Sequence, residues 1–544
     1  APSGKTGPWL IDPTDFTIAA SGGDVSGAAL SSNLAGINVT IQSTSGGSGT
    51  AGDVNVNDVV TWSTNKLTLN AQNNINVNAN LNGSGTASLA LEYGQAAVAS
   101  GNKSTYNLAS NAKIALPSGN NFSTKKGSDG SVTSFYVINS LGAEGSSTTT
   151  DLQGMRAGVT GNYALGADID ASATSTWQSG QGFTFIGTQG NAFTGNFDGL
   201  GHSIDSLFEN WAVGYVGLFG KIDTTARVAN VNLTNVSVSG GLDNVGGLVG
   251  YNNKGLIEHV TVQGKVTGGN NATGGVVGFN DGTVTDAHAN NIAVTGKNYG
   301  TGGLIGKQST NGLTTLSDSS GTVIGFYDVG GLMGSSSTNL DGLHSSATVN
   351  PTGGESGGLV GRANGNISNS YATGKITAPS GDLIGGLVGQ ADGTISDSYA
   401  TGDVTGGGGY TGGLAGKANS SISNSHATGK VNGAHIVGGL AGYVKADASV
   451  SDSYATGDVS GTFYSIGGVV GLMSGSMTNT YATGNVHSTT DAVGGLVGSW
   501  SSGTSPELKN SYATGDVSGR YAVGGLVGDM SACFCFVTGS HRSE

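Results

Sequence analysis

The 544-residue chain contains only two cysteines and seven prolines, and only 10% of its residues are charged. Two cysteines cannot supply a disulfide framework, so the stability of the fold has to come from packing. The scarcity of proline excludes a collagen triple helix, which also requires glycine at every third position. The formal net charge of −14 lacks the basic face with which proteins bind nucleic acid, so no nucleic-acid partner is predicted.

Long apolar runs are also missing from the sequence. No stretch of about 18 apolar residues occurs, so the sequence predicts no membrane span. The chain starts with APSGKTGPWL, which has neither the basic n-region nor the apolar h-region of a signal peptide. We therefore expect that any export signal has been removed or lies upstream. The acidic surface, rich in Ser, Thr, Asn and Gly, favours an extracellular protein.

Glycine is abundant, with 100 residues, and much of it belongs to a repeated motif of the form GG-L/V-x-G. The glycine before the apolar pair recurs at intervals of 26 to 30 residues. A repeat period of this size is typical of a solenoid or a propeller. The repeated glycines are Gly217, Gly247, Gly275, Gly303, Gly331, Gly358, Gly386, Gly413, Gly439, Gly468, Gly495 and Gly525.

A second motif, of the form S-N/D-S-Y-A-T-G, lies between successive glycine motifs. It is seen in ISNSYATGKI (367–376) and ISDSYATGDV (395–404). Each repeat therefore reads as two or three short strands with glycine and Asn/Asp at the corners. A propeller blade usually needs about 40 residues or more, so a unit of about 28 residues indicates one coil of a parallel β-helix.

Stacking of such coils predicts rows of equivalent residues. We expect Leu248, Val276, Leu304, Leu332, Leu359 and Leu387 to point inward and fill a narrow core. We expect the repeated glycines to be required because the backbone turns a tight corner with positive φ. A second row would contain Tyr371, Tyr399, His426, Tyr454, Tyr481 and Tyr512.

The pattern divides the chain into three parts. Residues 1–119 alternate apolar and polar positions in segments such as KLTLNAQ (66–72) and ASLALEY (87–93), which predicts a solenoid of shorter coils. Residues 120–215 form a joining segment, with a possible short helix over 148–158 near Thr150 or Asp151. Residues 216–544 form the solenoid of 28-residue coils.

The sequence also resembles a known family. KLTLNAQNNINVNANLNGSG (66–85) and GNYALGADIDASATSTW (161–177) look like the secreted part of filamentous-haemagglutinin-type exoproteins of the two-partner secretion pathway. The GGLVG and NSYATG repeats look like the GLUG motif of bacterial surface proteins. The resemblance implies a right-handed parallel β-helix, secreted through an outer-membrane partner transporter and displayed as an adhesin on the cell surface or in a biofilm matrix.

Two features depart from this family. No segment carries the NPNG-type or NPNL-type motif of an N-terminal secretion domain, so we interpret the chain as a piece or processed form of a longer exoprotein. The last repeat is replaced by ACFCFVTG, which contains Cys533 and Cys535. Some relatives anchor through a C-terminal cysteine pair, so an anchoring role is one interpretation, and two free cysteines in a terminal strand is the other.

The sequence offers few groups for catalysis. Asp397, Asp403, Asp452, Asp458 and Asp516 occupy repeat corners where Asn or Lys also occurs, which indicates turn formers. The histidines lack the spacing of metal ligands, and neither a nucleophile elbow nor a calcium repeat is present. The best constellation is FDGLGHSID, with Asp198, His202 and Asp205; it could be an acid–base pair, but a turn is favoured. We therefore predict no cofactor, no metal and no enzymatic activity.

The tyrosine row is the candidate ligand-binding feature, formed by Tyr371, Tyr399, Tyr454, Tyr481 and Tyr512. Aromatic faces stack on sugar rings, so these residues would bind carbohydrate if they point outward, although core packing is favoured. The sequence thus predicts a secreted adhesin or stalk that attaches to glycans, matrix or other cells. Two alternatives stay open: a fibre subunit that associates head to tail, and a polysaccharide lyase or hydrolase.

Overall fold

The computed structural model is built almost entirely from short parallel strands. It describes residues 9–11, 14–44, 52–95, 102–501, 507–530 and 536–542. The chain forms two compact units, which we call unit 1 (residues 1–177, 193–207 and 225–234) and unit 2 (residues 178–192, 208–224 and 235–544). The predicted parallel β-solenoid with coils of about 28 residues is confirmed, while the three-part division of the chain stays a prediction.

Unit 1 winds its first coils around three stacks of parallel strands. Their inward residues, such as Val54, Leu67 and Ile75, are fully buried, because alternate side chains of a strand face the same side. The first stack contains Trp9–Ile11, Val39–Gln42, Lys66–Ala71, Ser88–Tyr93 and Gly119–Lys126. The second contains Phe16–Ile18, Val54–Val56, Ile75–Val77 and Tyr106–Leu108, and the third contains Val60–Trp62, Leu81–Gly83 and Ile114–Ala115.

Later coils of unit 1 are less regular. The strand Thr133–Ile138 runs antiparallel to Gly119–Lys126, and parallel pairing then resumes. The parallel strands that follow are Tyr163–Leu165, Ile169–Asp170, Asn196–Asp198, Ser203–Asp205, Arg227–Ala229 and the start of Asn232–Gly240.

Helices are rare in the described chain, and each has a local cause. The α-helix Gly27–Leu34 was not predicted; Ser26 caps it, with the Ser26 Oγ accepting a hydrogen bond from the Ala29 N–H at 3.2 Å. The short helix predicted over 148–158 is a 3-10 helix, Gln153–Ala157, and Asp151 accepts a hydrogen bond from the Gly154 N–H at 2.7 Å. A second 3-10 helix is Ser172–Gly180. No helix in the described ranges is long and apolar enough to cross a membrane.

Unit 2 stacks its coils into four sheets, of which the first two flank the GG-L/V-x-G motif. Sheet 1 contains Phe219–Ile222, Val249–Asn252, Val277–Asn280, Ile305–Gln308, Met333–Ser336, Val360–Ala363, Val388–Ala391, Ala415–Ala418, Ala441–Val444, Val470–Met473, Val497–Trp500 and Val527–Asp529. Sheet 2 contains Val245–Gly246, Thr273–Gly274, Tyr299–Gly302, Tyr327–Gly330, Glu355–Gly357, Leu383–Gly385, Tyr410–Gly412, Ile436–Gly438, Ile466–Gly467, Asp491–Gly494 and Tyr521–Gly524.

The other two sheets of unit 2 carry the second motif. Sheet 3 contains Leu340–Asp341, Ile367–Ser368, Ile395–Ser396, Ile422–Ser423, Ser449–Ser451, Ser476–Thr478, Glu507–Lys509 and Phe536–Thr538. Sheet 4 starts with Phe208–Trp211, the end of Asn232–Gly240, Leu256–Gly268, Thr283–Gly296, Leu313–Thr315 and Asp318–Ile324. It continues with His344–Ser345, Thr348–Val349, Tyr371–Ala372, Ile376–Ala378, Tyr399–Ala400, Val404–Gly406, His426–Ala427, Val431–Gly433, Tyr454–Ala455, Val459–Gly461, Tyr481–Ala482, Val486–Ser488, Tyr512–Ala513, Val517–Ser518 and His541–Arg542.

The predicted row of inward apolar residues is confirmed. Leu248, Val276, Leu304, Leu332, Leu359 and Leu387 are all fully buried. Each one also bonds to the next coil through the backbone; the Leu332 N–H, for example, donates to the Leu359 carbonyl at 2.9 Å. One coil therefore buries its apolar face and satisfies its backbone only by stacking on its neighbours.

The reason that we gave for the repeated glycines is wrong for eleven of the twelve. Only Gly217 has a positive φ, at +155°, and Gly247 to Gly525 do not. In this row each glycine lies against the backbone carbonyl of the equivalent glycine in the next coil, so that a Cβ on Gly386 would collide with the oxygen of Gly413. Glycine is required there because coils approach too closely for any side chain.

The positive φ angles are instead found at the Asn/Asp position of the second motif. Asn369, Asp397, Asn424, Asp452 and Asn479 have φ between +47° and +53°. Asn and Asp tolerate the left-handed region better than other residues with a Cβ. Of the five repeat aspartates interpreted as turn formers, Asp397 and Asp452 are confirmed by their backbone conformation.

Candidate ligand-binding surface

The tyrosine row of sheet 4 lies on the outer face of unit 2. Each tyrosine is half-buried, whereas the residues before and after it, such as Ser398 and Ala400 around Tyr399, are 1% exposed. Because neighbouring residues of a strand point to opposite faces, the small side chains fill the interior and the ring points outward. The expectation that the tyrosines pack in the core is therefore wrong, and the ligand-binding role proposed for them stays a prediction.

Backbone register places the rings directly above one another. Tyr371 pairs with Tyr399, Tyr399 with His426, and the same register continues to Tyr512. Ring centroids along this row are 4.6–5.2 Å apart, and the ring planes are within 8° of parallel. The predicted second ladder is thus confirmed, and it is one ring longer than predicted. Its members, which we call the aromatic row, are His344, Tyr371, Tyr399, His426, Tyr454, Tyr481 and Tyr512.

Stacking decides which parts of these rings a ligand can reach. The faces of the interior rings lie against their neighbours, so the ring edges and the phenolic hydroxyl groups are what remains at the surface. Partial burial raises the pKa of Tyr399, and the neighbouring Tyr371 adds to the effect. The pKa of Tyr481 is raised for the same reasons, with Tyr454 and Tyr512 as neighbours. The tyrosine hydroxyls are therefore neutral at physiological pH and can both donate and accept hydrogen bonds.

Sheet 4 continues beyond His344 as a row of alternating histidine and aspartate, which the sequence had left as dispersed histidines. His288 Nδ1 lies 2.8 Å from Asp318 Oδ2, and His344 Nε2 lies 3.5 Å from the same oxygen. Asp286 bridges His259 Nδ1 and His288 Nε2, at 2.6 and 3.1 Å. The signal that could have revealed this row is the coil period, since these positions lie 26 to 30 residues apart.

The two parts of this surface differ in their electrostatics. The hydrogen bond to Asp318 raises the pKa of His288, and the same bond from His288 lowers the pKa of Asp318. Within the aromatic row the effect is opposite, because burial between two tyrosine rings lowers the pKa of His426. Near neutral pH, the His–Asp end therefore carries charge, while the aromatic row is neutral.

Asp198, the strongest catalytic candidate of the sequence, lies in the interior of unit 1. Its carboxylate is fully buried and accepts hydrogen bonds from Tyr106, from Arg227 Nη1 at 2.9 Å and from Asn230 Nδ2 at 3.0 Å. It also accepts the Leu200 N–H at 3.0 Å, which closes the Asp198–Gly199–Leu200 turn. Burial, together with the charge of Asp198, raises the pKa of Tyr106 well above its usual value. This saturated carboxylate has a structural role.

His202 and Asp205 do not approach Asp198 as an acid–base pair. His202 Nδ1 lies 3.2 Å from Asp168 Oδ1, and its Nε2 lies 3.1 Å from the Ile114 carbonyl oxygen. Burial lowers the pKa of His202. Burial tends to raise the pKa of Asp168, but the hydrogen bonds from Lys113 and the Ser203 N–H lower it to about 2. Asp205 accepts hydrogen bonds from Thr234 and Ser206, so the predicted turn is confirmed.

Cys533 and Cys535 lie outside the described residues, so their anchoring role stays a prediction. The described residues of unit 2 include the aspartates of the later corners, and these bond to neighbouring coils. Asp403 Oδ1, for example, accepts the Lys430 N–H at 2.9 Å, and Asp458 Oδ1 accepts the Asn485 N–H at 3.2 Å. They thus hold adjacent corners together.

Two family models match parts of the chain. Residues 98–264 match the model described as "M26 IgA1-specific Metallo-endopeptidase N-terminal region". Residues 352–377, 380–405, 407–432 and 433–460 match the GLUG motif. The predicted GLUG repeats are confirmed, whereas the likeness to filamentous-haemagglutinin-type exoproteins and two-partner secretion stays a prediction.

Similar proteins match only part of the chain. Halomucin of Haloquadratum walsbyi is 37% identical over 149 residues, which are 25% of this chain and 2% of that protein. A "Putative Gly-rich membrane protein" of Evansella cellulosilytica is 38% identical over 105 residues, 19% of this chain and 12% of that protein. The chain thus spans a small fraction of these relatives. A structure titled "putative immunoglobulin A1 protease" from Bacteroides ovatus covers 76% of this chain and 84% of its own, at 19% identity and a TM-score of 0.21.

The prediction that the chain has no connection with an enzyme is contradicted by the match over residues 98–264, because that model belongs to a metallo-endopeptidase. Individual side chains had given no sign of it, since the match is to a whole region. Within the ranges that the structure describes, no three His, Cys, Asp or Glu side chains are arranged to hold a metal ion. The described residues do not fit a catalytic metal, so no catalytic step is assigned to them.

Proposed function

We propose that this chain is a polysaccharide-binding region of an extracellular, peptidase-related protein. In this proposal the aromatic row holds an extended polysaccharide along unit 2. A peptidase of the IgA1-specific type would then be kept at a surface covered with glycan. The match to an endopeptidase N-terminal region supports the link to a peptidase, and the GLUG repeats support a place at the cell surface.

One observation carries the proposal: the tyrosines form an exposed row with a constant step. The step between rings is 4.6–5.2 Å, close to the length of one sugar unit in an extended chain. A polysaccharide lying along the row would therefore meet an equivalent ring edge at each of its units. The neutral tyrosine hydroxyls supply the donors and acceptors that sugar hydroxyl groups need.

The test is to remove the hydroxyl groups while keeping the stack of rings. In the triple variant Tyr399→Phe, Tyr454→Phe and Tyr481→Phe, the rings and their packing are retained. Affinity electrophoresis through gels containing soluble unbranched β-linked glucan or xylan measures binding. We expect the wild-type chain to be retarded by at least one of these polymers, and the variant to bind it at least tenfold more weakly.

The matched control changes tyrosines on a different face. Tyr251 and Tyr443 lie on strands of sheet 1, away from the aromatic row, so Tyr251→Phe and Tyr443→Phe should leave the retardation unchanged. A wild-type chain that no polymer retards, or a triple variant that binds as well as the wild type, would contradict the proposal. Head-to-tail self-association and secretion through a partner transporter stay predictions.

A further inference from the structure

A cleft on the outer face of sheet 2 has no part in the proposed function. It has a volume of about 430 Å³, and it spans four successive coils. Tyr327 and Tyr410 form its two ends, and the positions between them include two glycines, Gly354 and Gly409. No side chain fits at Gly354, since a Cβ there would collide with the Tyr327 ring, so the cleft is part of the packing of this face.

Acidic groups line the polar side of the cleft. Glu355 and Asp382 both face it, with Leu383 between Glu355 and Tyr410 along the sheet. Glu355 is 20% exposed, and Asp328 of the preceding coil lies within hydrogen-bonding reach of its carboxyl group. Two carboxyl groups so close together are stable only if they share a proton or if a cation lies beside them.

The cation already present reaches only one side of this pair. Arg362 Nη1 lies 3.9 Å from Glu355 Oε1, while its Nη2 lies 3.3 Å from Asp392 Oδ2. Glu355 Oε2 is buried, and it accepts no hydrogen bond from an N–H or hydroxyl donor in the part of the chain that the structure describes. Burial, followed by the charge of Asp328, raises the pKa of Glu355 to about 7. An additional donor that carries positive charge would be favourable at this oxygen.

We propose that this cleft binds the ammonium group of a lysine side chain from a polypeptide partner. A primary ammonium has three donors for the Glu355 and Asp382 carboxylates. The tyrosine rings at the two ends can attract the positive charge and pack against the methylene chain. A neutral sugar would leave the carboxylate pair uncompensated, which is why the acidic cleft favours a cation. The proposal does not depend on the polysaccharide surface, which uses a different sheet.

The test uses the tripeptide acetyl-Gly-Lys-Gly-amide and saturation-transfer NMR with the full chain. We expect a Kd of about 1 mM, typical of a single small group. The same peptide with norleucine or Nε-acetyl-lysine in place of lysine should bind at least tenfold more weakly, because it keeps the chain length and loses the charge. Equal binding of the norleucine peptide would overturn the proposal, and so would binding of glucosamine without binding of the lysine peptide.

Variants assign the binding to the cleft. Glu355→Gln combined with Asp382→Asn keeps the size of both side chains and should weaken lysine binding at least tenfold. Asp491→Asn, at an exposed carboxylate elsewhere on sheet 2, is the matched control and should leave it unchanged. Full binding by the double variant would overturn the proposal. Thermal unfolding followed by circular dichroism checks that each variant is folded.

A pH series gives a second readout that does not need a variant that folds differently. The groups that face Glu355 are Asp328, Asp382, Arg362 and Asp392, and Lys307 acts on Asp328. Glu355 ionises as the pH rises through about 7, while lysine stays protonated to about pH 10. We therefore expect lysine affinity to rise about tenfold from pH 6 to pH 8. An affinity that is constant over this range would overturn the assignment to Glu355.

Discussion

The ring of Tyr371 lies 4.9 Å from that of Tyr399, and the two ring planes are within 2° of parallel. These residues are 28 positions apart in the chain, one coil of unit 2. The contact shows how unit 2 is organised: residues one period apart become nearest neighbours, and a repeated residue becomes a continuous row. The same rule brings the repeated glycines, the buried leucines and the histidine–aspartate row together.

Gly386→Ala tests why glycine recurs between the strands of sheets 1 and 2. A Cβ at this position would collide with the backbone oxygen of Gly413, so we expect a loss of about 1–3 kcal/mol in the free energy of unfolding. Urea unfolding followed by circular dichroism measures it. The control is Gly190→Ala, at an exposed glycine whose Cβ would meet no atom within 4 Å, with an expected change below about 0.5 kcal/mol.

Gly386→Asn separates close approach from backbone conformation. If a positive φ were the reason for glycine, asparagine would be tolerated better than alanine, since it adopts the left-handed region more readily. Because the reason is steric, we expect Gly386→Asn to be at least as destabilising as Gly386→Ala. A clearly milder effect of asparagine would show that the steric explanation is wrong.

His288 and His426 should titrate in opposite directions from the usual histidine pKa. The hydrogen bond to Asp318, with Asp286 on the other side, raises the pKa of His288, whereas burial between Tyr399 and Tyr454 lowers that of His426. NMR titration of the histidine ring protons measures both values. We expect Asp318→Asn to lower the pKa of His288 and to leave that of His426 unchanged.

The direction for His288 also sets a pH dependence of stability. Because the folded pKa is above the unfolded value of about 6.5, its contribution is fully present below pH 6.5. That contribution is lost as the pH rises through the folded pKa. The difference in stability between the wild type and His288→Gln should therefore shrink on going from pH 6 to pH 8; a difference that grows over this range would contradict the assignment.

Glu209→Gln should stabilise unit 2 at neutral pH. Glu209 is fully buried, and this burial raises its pKa well above the usual value. The unfolded chain releases the proton above about pH 4.5 while the folded chain retains it. The wild type should therefore lose up to about 1.4 kcal/mol per pH unit as the pH rises from there toward the folded pKa.

Glutamine has no proton to release, so the advantage of Glu209→Gln should be small at pH 4 and should grow toward pH 7. Urea unfolding at a series of pH values measures the difference. Glu507→Gln, at a partly exposed site in the same unit, controls for the loss of one negative charge. An advantage that is the same at pH 4 and pH 7 would mean that Glu209 is not buried as a neutral acid.

Much of the fold follows from periodicity alone. The spacing of the glycine motif predicts the length of the coil, and the length of the coil predicts that Leu359 lies over Leu387 and Tyr371 over Tyr399. The helix Gly27–Leu34 was missed because it is a single short element within a strand-rich region. The match to an endopeptidase region was missed because it is distributed over residues 98–264 and depends on no particular side chain.

The sequence by itself determined which residues share a row, because a constant period makes position i the neighbour of position i+28. Only the tertiary structure decided the direction in which each row points. The interior beside sheet 4 is narrow, so Ser398 and Ala400 fill it and Tyr399 is left outside. The tertiary structure also decided why glycine recurs and where Asp328 meets Glu355, since both depend on the distance between coils, which no single repeat contains.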